Sequence, residues 1–163
     1  RQMVDVPVID GTVPHYIIGE YGAAAVVLMS SKKATELGAI PRLRWKARGV
    51  SGVEPAIMGI GPVPAVQKVL DKAGMEIDDL DLIELNEAFA SQALYCIREL
   101  GLNLDATNVN GSGISLGHPV GATGAIMTVK LMEELAARDQ EIGLVTMCVG
   151  GGQGVATVFE RLN

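Results

Sequence analysis

At 163 residues the chain has the length of one domain and can bury roughly 70% of its unfolded surface. Apolar residues make up 48% and aromatics only 4%, so the core must come from Ala, Val, Leu and Ile; this argues against an aromatic-rich β-sandwich and for helices packed closely on a sheet. A net charge of -6, with no basic stripe interleaved with aromatics, argues against nucleic acid as a partner and leaves any polyanionic ligand to backbone amides or a few cations.

Residues 1–21 are punctuated by Pro7, Gly11, Pro14 and Gly19 and read as an irregular lead-in with at most one strand. The continuous apolar run from Gly22 to Ser30 predicts a strand buried on both faces. Ser30 or Ser31 caps a helix over Lys32 to Leu37 that Gly38 stops, and Arg42 to Val50 forms a second strand. Pro62 and Pro64 lead into Val66, Val69, Leu70 and Ala73, one face of a helix that Gly74 closes. After a turn at 78–81, Leu82 to Leu85 is a strand, followed by a helix from about Glu87 to Leu100 with Phe89, Ala93, Ile97 and Leu100 on its apolar stripe. A further helix spans about Gly121 to Arg138, with Ile126, Val129, Met132 and Ala136 inward and Lys130, Glu133, Glu134 and Arg138 toward water. Ile142 to Val149 is a buried strand, and Gly154 to Leu162 returns beside it as a hairpin. The order β-α-β-α-β-α-β-β implies an α/β fold: a five-stranded, mixed but mostly parallel sheet with helices on both faces. Chemistry in such sheets gathers at the strands' carboxyl ends, where Asn86 and Cys148 fall.

Two cysteines, neither in a C-x-x-C pair, cannot form a disulfide framework; both thiols are expected free, in a reducing, cytoplasmic setting. No apolar run reaches the 18 or so residues of a membrane span, and no secretory pattern opens the chain, so a membrane is not an expected partner. The opening Arg1-Gln2-Met3 suggests a piece of a longer polypeptide, with about 230 residues upstream if two similar domains are present.

The chemistry concentrates in three loops. Asn110 to Gly124 is glycine-dense and ends at a helix start, and it contains His118 between Gly117 and Pro119. A lone histidine is ordinarily a surface or hydrogen-bonded structural residue, but no packing role demands one there, and Pro119 fixes the chain's exit. Cys148 ends a strand just before Gly150-Gly151-Gly152; it is either core filler or a thiol whose pKa neighbouring amides lower, beside donors suited to an oxyanion. Asn86 and Glu87 read first as a helix cap with an acid in the first turn, and their place at a strand's carboxyl end keeps a functional reading open. Cys96, at apolar spacing within a helix, is structural, and His15 keeps the ordinary reading. Glycines at 111, 113 and 117 break the G-x-G-x-x-G spacing, no P-loop occurs, and the thiols and imidazole lack metal-ligand spacing, so no metal site is expected.

Asn86-Glu87-Ala88-Phe89-Ala90, Gly117-His118-Pro119-Val120-Gly121-Ala122-Thr123-Gly124 and Cys148-Val149-Gly150-Gly151-Gly152-Gln153-Gly154 together resemble the carboxyl-terminal signatures of the thiolases, the acetyl-CoA acetyltransferases and 3-ketoacyl-CoA thiolases. The resemblance runs from about Gly22 to the end and implies that residues 22–163 are a thiolase carboxyl-terminal domain lacking its amino-terminal partner. It implies that His118 takes the proton of a nucleophilic cysteine and helps form an oxyanion hole that a water on Asn86 completes. Cys148 would be the acid/base toward the second acetyl-CoA, and the Gly150 amide would serve a second oxyanion hole. It further implies acyl-CoA and acetyl-CoA as substrates, no separate cofactor, a homo-oligomer, and acetoacetyl-CoA formation from the details of the His118 and Gly150 loops.

Two features depart from the family pattern. Its nucleophilic cysteine lies in an amino-terminal half, and neither Cys96 nor Cys148 matches it. Where the family has an S-G-x-N-D-G segment for the pantetheine arm, this chain reads Pro14-His15-Tyr16-Ile17-Ile18-Gly19-Glu20-Tyr21-Gly22. The expectation is therefore half of an acyltransferase site, inactive alone. The competing readings are a non-catalytic dimerisation or scaffold module and a Cys148–His118 hydrolase dyad.

Overall fold

The computed structural model describes residues 22–162 and, of residues 13–19, the backbone. The expected lead-in over 1–12, together with residues 20, 21 and 163, lies outside that description, as does the side chain of His15. Strands β1 (Val13–Gly19) and β2 (Gly22–Leu28) form an antiparallel ribbon in which Gly19 faces Gly22. Helix α1 (Ser31–Leu37) follows, its first turn capped by Ser30 Oγ accepting from the Lys33 amide, its end set by Gly38 at φ 64°.

Strand β3 (Leu43–Gly52), helix α2 (Pro62–Ala73), strand β4 (Leu82–Leu85), helix α3 (Ala90–Leu100), the single turn α4 (Gly113–Leu116), helix α5 (Thr123–Ala137) and strands β5 (Ile142–Val149) and β6 (Gln153–Arg161) build the main unit. Its sheet runs β3-β6-β5-β4. β4 and β5 are parallel; β5–β6 and β6–β3 are antiparallel. Side-chain alternation along the sheet divides the core in two. On one face Ile83, Leu85, Leu144, Ala156 and Val158 meet Val66 and Val69 of α2 and Ala93 and Cys96 of α3. On the other, Leu82, Val145 and Phe159 meet Met127, Leu131 and Leu135 of α5. Each Val, Leu, Ile, Met or Phe among them contributes about 1.5–3 kcal/mol by leaving water, and the alanines less.

The α/β class and helices on both faces agree with expectation, but the details differ at four places. The sheet has four strands with one parallel pair, not five mostly parallel ones, because the β5–β6 hairpin inserts β6 between β5 and β3. β2 belongs to the separate ribbon and half-buries only alternate residues; Val27 is 52% exposed. Its run of small alanines carries no periodicity that could tell two buried faces from one. α3 starts at Ala90, three residues later than expected, and Phe89 is 60% exposed instead of on the stripe. Finally, α5 turns Met127, Leu131 and Leu135 inward, while Ile126, Val129, Met132 and Ala136 are half-buried. Gly22 of the ribbon lies beside Pro119 and Ile126, so α5 has apolar neighbours on two sides and its sequence shows no single stripe.

Candidate active site

Three chain segments meet at the carboxyl ends of β4 and β5. β4 is short, and its last residue is held by a side chain: Asn108, in the left-handed region at φ 52°, accepts from the Leu85 amide and donates to the Leu85 carbonyl, both at 2.9 Å. The carboxamide thus stands in for a neighbouring strand's peptide. Ser112 Oγ donates to the same carbonyl at 3.0 Å. Beyond it, the Asn86 amide donates to Thr146 O at 3.0 Å, carrying the parallel ladder one residue past β4.

Asn86 is therefore an extension of the strand and not a helix cap; the residue before α3 is Phe89. Its side chain is fully buried, with Nδ2 3.3 Å from His118 Nε2 and Oδ1 without a hydrogen-bond partner among the described residues. Glu87, expected in a helix's first turn, instead accepts from Asn108 Nδ2 at 3.0 Å and the Ile114 amide at 3.4 Å, tying the glycine loop to the strand end. Gly113 allows that approach, since a Cβ there would lie 2.7 Å from Glu87 O. His118 itself is exposed on one side, and its Nδ1 lies 2.7 Å from Thr123 Oγ1. Behind the loop, Lys130 reaches Glu84 at 2.8 Å and Gly111 O at 2.5 Å. Lys130 and Glu134, expected in water, are thus largely covered, with side chains 17% and 20% exposed.

Cys148 is the penultimate residue of the neighbouring strand β5, opposite Gly154, and is 8% exposed. Burial pushes its thiol pKa up, only partly offset by its own backbone amide. Of the two readings of this thiol, core filler or one lowered by the glycine amides, the upward shift fits burial; Gly150 is exposed, with nothing within 4 Å of where its Cβ would stand. Gly151 and Gly152 adopt φ 82° and 86°, and a Cβ at Gly152 would meet Val53 O at 2.2 Å, so the turn is pressed against the segment after β3. Cys96 is core, as expected: its Sγ donates to Gly59 O at 3.5 Å and burial raises its pKa to about 11.

The structure thus joins Asn86 directly to His118 and sets Cys148 and Gly150 at the same rim of the sheet, on the adjoining strand. Cys148 makes no hydrogen bond with Asn86 or His118 among the described residues. Sequence reading assigned no role to Asn108 or Thr123. An asparagine before a glycine-rich loop, and a hydroxyl five residues past a histidine at a helix start, were the available signals. No three His, Cys, Asp or Glu side chains cluster as metal ligands would among the described residues, nor is any described helix long and apolar enough to cross a membrane.

The family model described as "Thiolase, C-terminal domain" matches residues 40–161. The chain belongs to the thiolase family. It is 53% identical over 144 residues to a 3-ketoacyl-CoA thiolase of Vibrio vulnificus, covering 86% of this chain and 37% of that protein. Against an acetyl-CoA acetyltransferase of Escherichia coli it is 52% identical over 142 residues, 87% of this chain and 36% of the other. Among solved thiolases, human mitochondrial 3-ketoacyl-CoA thiolase in complex with CoA superposes with a TM-score of 0.84 at 43% identity, over 85% of this chain and 35% of that one. The chain therefore spans little more than a third of the length of the thiolases it matches.

Proposed function

We propose that this chain is the carboxyl-terminal domain, residues 22–163, of a thiolase that condenses acyl-CoA with acetyl-CoA. His118, Asn86, Cys148 and the Gly150 amide would be its share of the active site. The observation that carries the reading is the 3.3 Å contact between Asn86 Nδ2 and His118 Nε2 at the sheet's carboxyl rim, next to the strand whose last two residues are Cys148 and Val149. A fully buried carboxamide here holds an imidazole that is itself exposed to solvent, where a reacting group can arrive.

In this proposal His118 accepts the proton of a cysteine thiol supplied by an amino-terminal domain. The thiolate then attacks the acyl-CoA carbonyl carbon, and the departing coenzyme A thiolate takes up a proton. In the second half, Cys148, as thiolate, removes a proton from the methyl group of acetyl-CoA, and the resulting enolate carbon attacks the acyl-cysteine, releasing its sulfur. Amide and imidazole N–H groups aimed at the oxygens that gain charge lower both barriers. The raised pKa of Cys148 suits this role: a thiol held largely protonated is a proton donor in the reverse step. The coenzyme A thioesters are the substrates, with no separate cofactor; acetoacetyl-CoA, favoured by the His118 and Gly150 loops, and free coenzyme A are the products, and the assembled enzyme is a cytoplasmic homo-oligomer. The similar human enzyme has been solved in complex with CoA, which supports the substrate class.

The test is complementation. The purified chain alone should show no thiolysis of acetoacetyl-CoA, and activity should appear on adding a thiolase amino-terminal half; His118→Ala should remove it. Turnover by the unaided chain would favour the hydrolase dyad, and a folded pair without turnover would favour a scaffold.

A further inference from the structure

Thr123 is buried, 5% exposed, at the first residue of α5, and both bonds of its hydroxyl are local. Oγ1 lies 3.1 Å from Pro119 O and 2.7 Å from His118 Nδ1. A hydroxyl carries one proton, and a carbonyl can only accept. With that proton on Pro119 O, the threonine oxygen can only accept from the ring, so Nδ1 carries the hydrogen of neutral His118 and Nε2 carries a lone pair.

The reverse pattern has to be weighed, because Pro119 O already receives the Ala122 and Thr123 amides at 2.8 and 3.1 Å. Were Thr123 to donate to Nδ1, Nε2 would hold the proton and Asn86 would have to turn its amide over to accept it. Gly113 speaks against that turn. A Cβ there would stand 3.0 Å from Asn86 Oδ1, so the glycine's C–H is directed at that oxygen, an attractive contact that an NH2 group would replace with two hydrogens facing a hydrogen. Both ends of the chain Asn86–His118–Thr123–Pro119 therefore favour one direction of donation.

We infer that Thr123 is a positioning residue that selects the Nδ1–H tautomer of His118 and leaves Nε2 free to take a proton. The value of this to the reaction rests on the function proposed above. When Nε2 takes its proton, the Nδ1–H···Oγ1 bond needs no rearrangement; on the other side the new N–H displaces the Asn86 Nδ2 contact, and the carboxamide must turn to accept it. No step of the inference depends on substrate.

The test reads the ring directly. In the full chain carrying His15→Gln, isotopically labelled histidine reports only His118, and long-range proton–nitrogen correlations at a pH above its titration distinguish the tautomers. The expected result is a predominant Nδ1–H form. Thr123→Ser should preserve it, and Thr123→Val should shift the tautomer ratio toward Nε2–H by about tenfold, the worth of one such hydrogen bond. A wild-type ring in the Nε2–H form, or a folded Thr123→Val chain with an unchanged ratio, overturns the inference. Should Thr123→Val fail to fold by its amide spectrum, Thr123→Ala and the wild-type ring decide. Because no turnover is measured, a chain with the expected tautomer that stays inactive even with an added amino-terminal half would refute the proposed function and leave Thr123's role standing.

Discussion

Replacing Lys130 with methionine would leave the Glu84 carboxyl without its counter-charge. The Glu84 side chain is 3% exposed and Lys130 Nζ is 2.8 Å away. Burial raises the Glu84 pKa; the bond and charge of Lys130 lower it again, while the charges of Glu134 and Glu87 add to the rise. Removing one member of such a pair typically costs about 3–5 kcal/mol. At this chain length that corresponds to roughly 6–20 °C in Tm.

The sign of the pH dependence follows from proton binding. In Lys130→Met the folded chain holds the Glu84 proton more tightly than the unfolded chain, whose carboxyl titrates near about 4.3. Stability therefore falls as pH rises from that value through the raised folded pKa. Urea unfolding followed by circular dichroism should show a larger deficit at pH 8 than at pH 5. Adding Glu84→Gln should recover most of it, except about 1 kcal/mol for the lost Lys130 bond to Gly111 O. A cost below about 1 kcal/mol at pH 8, or a deficit that does not change with pH or with Glu84→Gln, would refute the buried-pair account.

Gly154→Ala should destabilise by about 3 kcal/mol or more in the same assay, since its Cβ would lie 1.8 Å from Gly61 O. Gly52→Ala, where nothing lies within 4 Å, should stay within about 0.5 kcal/mol. Cys96, with its pKa near 11, should react with iodoacetamide at pH 8 at least about a hundredfold more slowly than an ordinary thiol and become reactive on unfolding, followed by mass spectrometry. Asn108→Ala should cost about 2–3 kcal/mol and speed hydrogen exchange at the Leu85 amide, which loses its acceptor.

What the sequence revealed depended on how local each cause was. Helix ends were legible because Ser30, Gly38, Gly74 and Gly101 act on their own turns, and each sits at its expected boundary. The β5–β6 hairpin was legible from the glycines between two apolar runs. The inward face of α5 was not, since two neighbours compete for it and the periodic signal blurs. Strand order was hidden for a related reason: β3 pairs with β6, more than 100 residues away, and nothing near Leu43 announces that partner. At the site, the three motifs named the residues, but the cap-like sequence Asn86-Glu87 concealed a strand extension, in which the Asn86 amide bonds Thr146 O and Asn108, across a loop, holds the Leu85 peptide and the Glu87 carboxylate.

The contact between Gly61 and Gly154 sets how motion can reach the rim. Two main chains touch there with no side chain between them, and the Val53 amide donates to Gly152 O at 2.6 Å just beyond. Rotamer changes, the usual cushion between packed segments, have nothing to act on at such a junction. A displacement of the stretch 53–61 is therefore felt directly by the backbone of the turn beyond Cys148, with no side chain to absorb it at that junction.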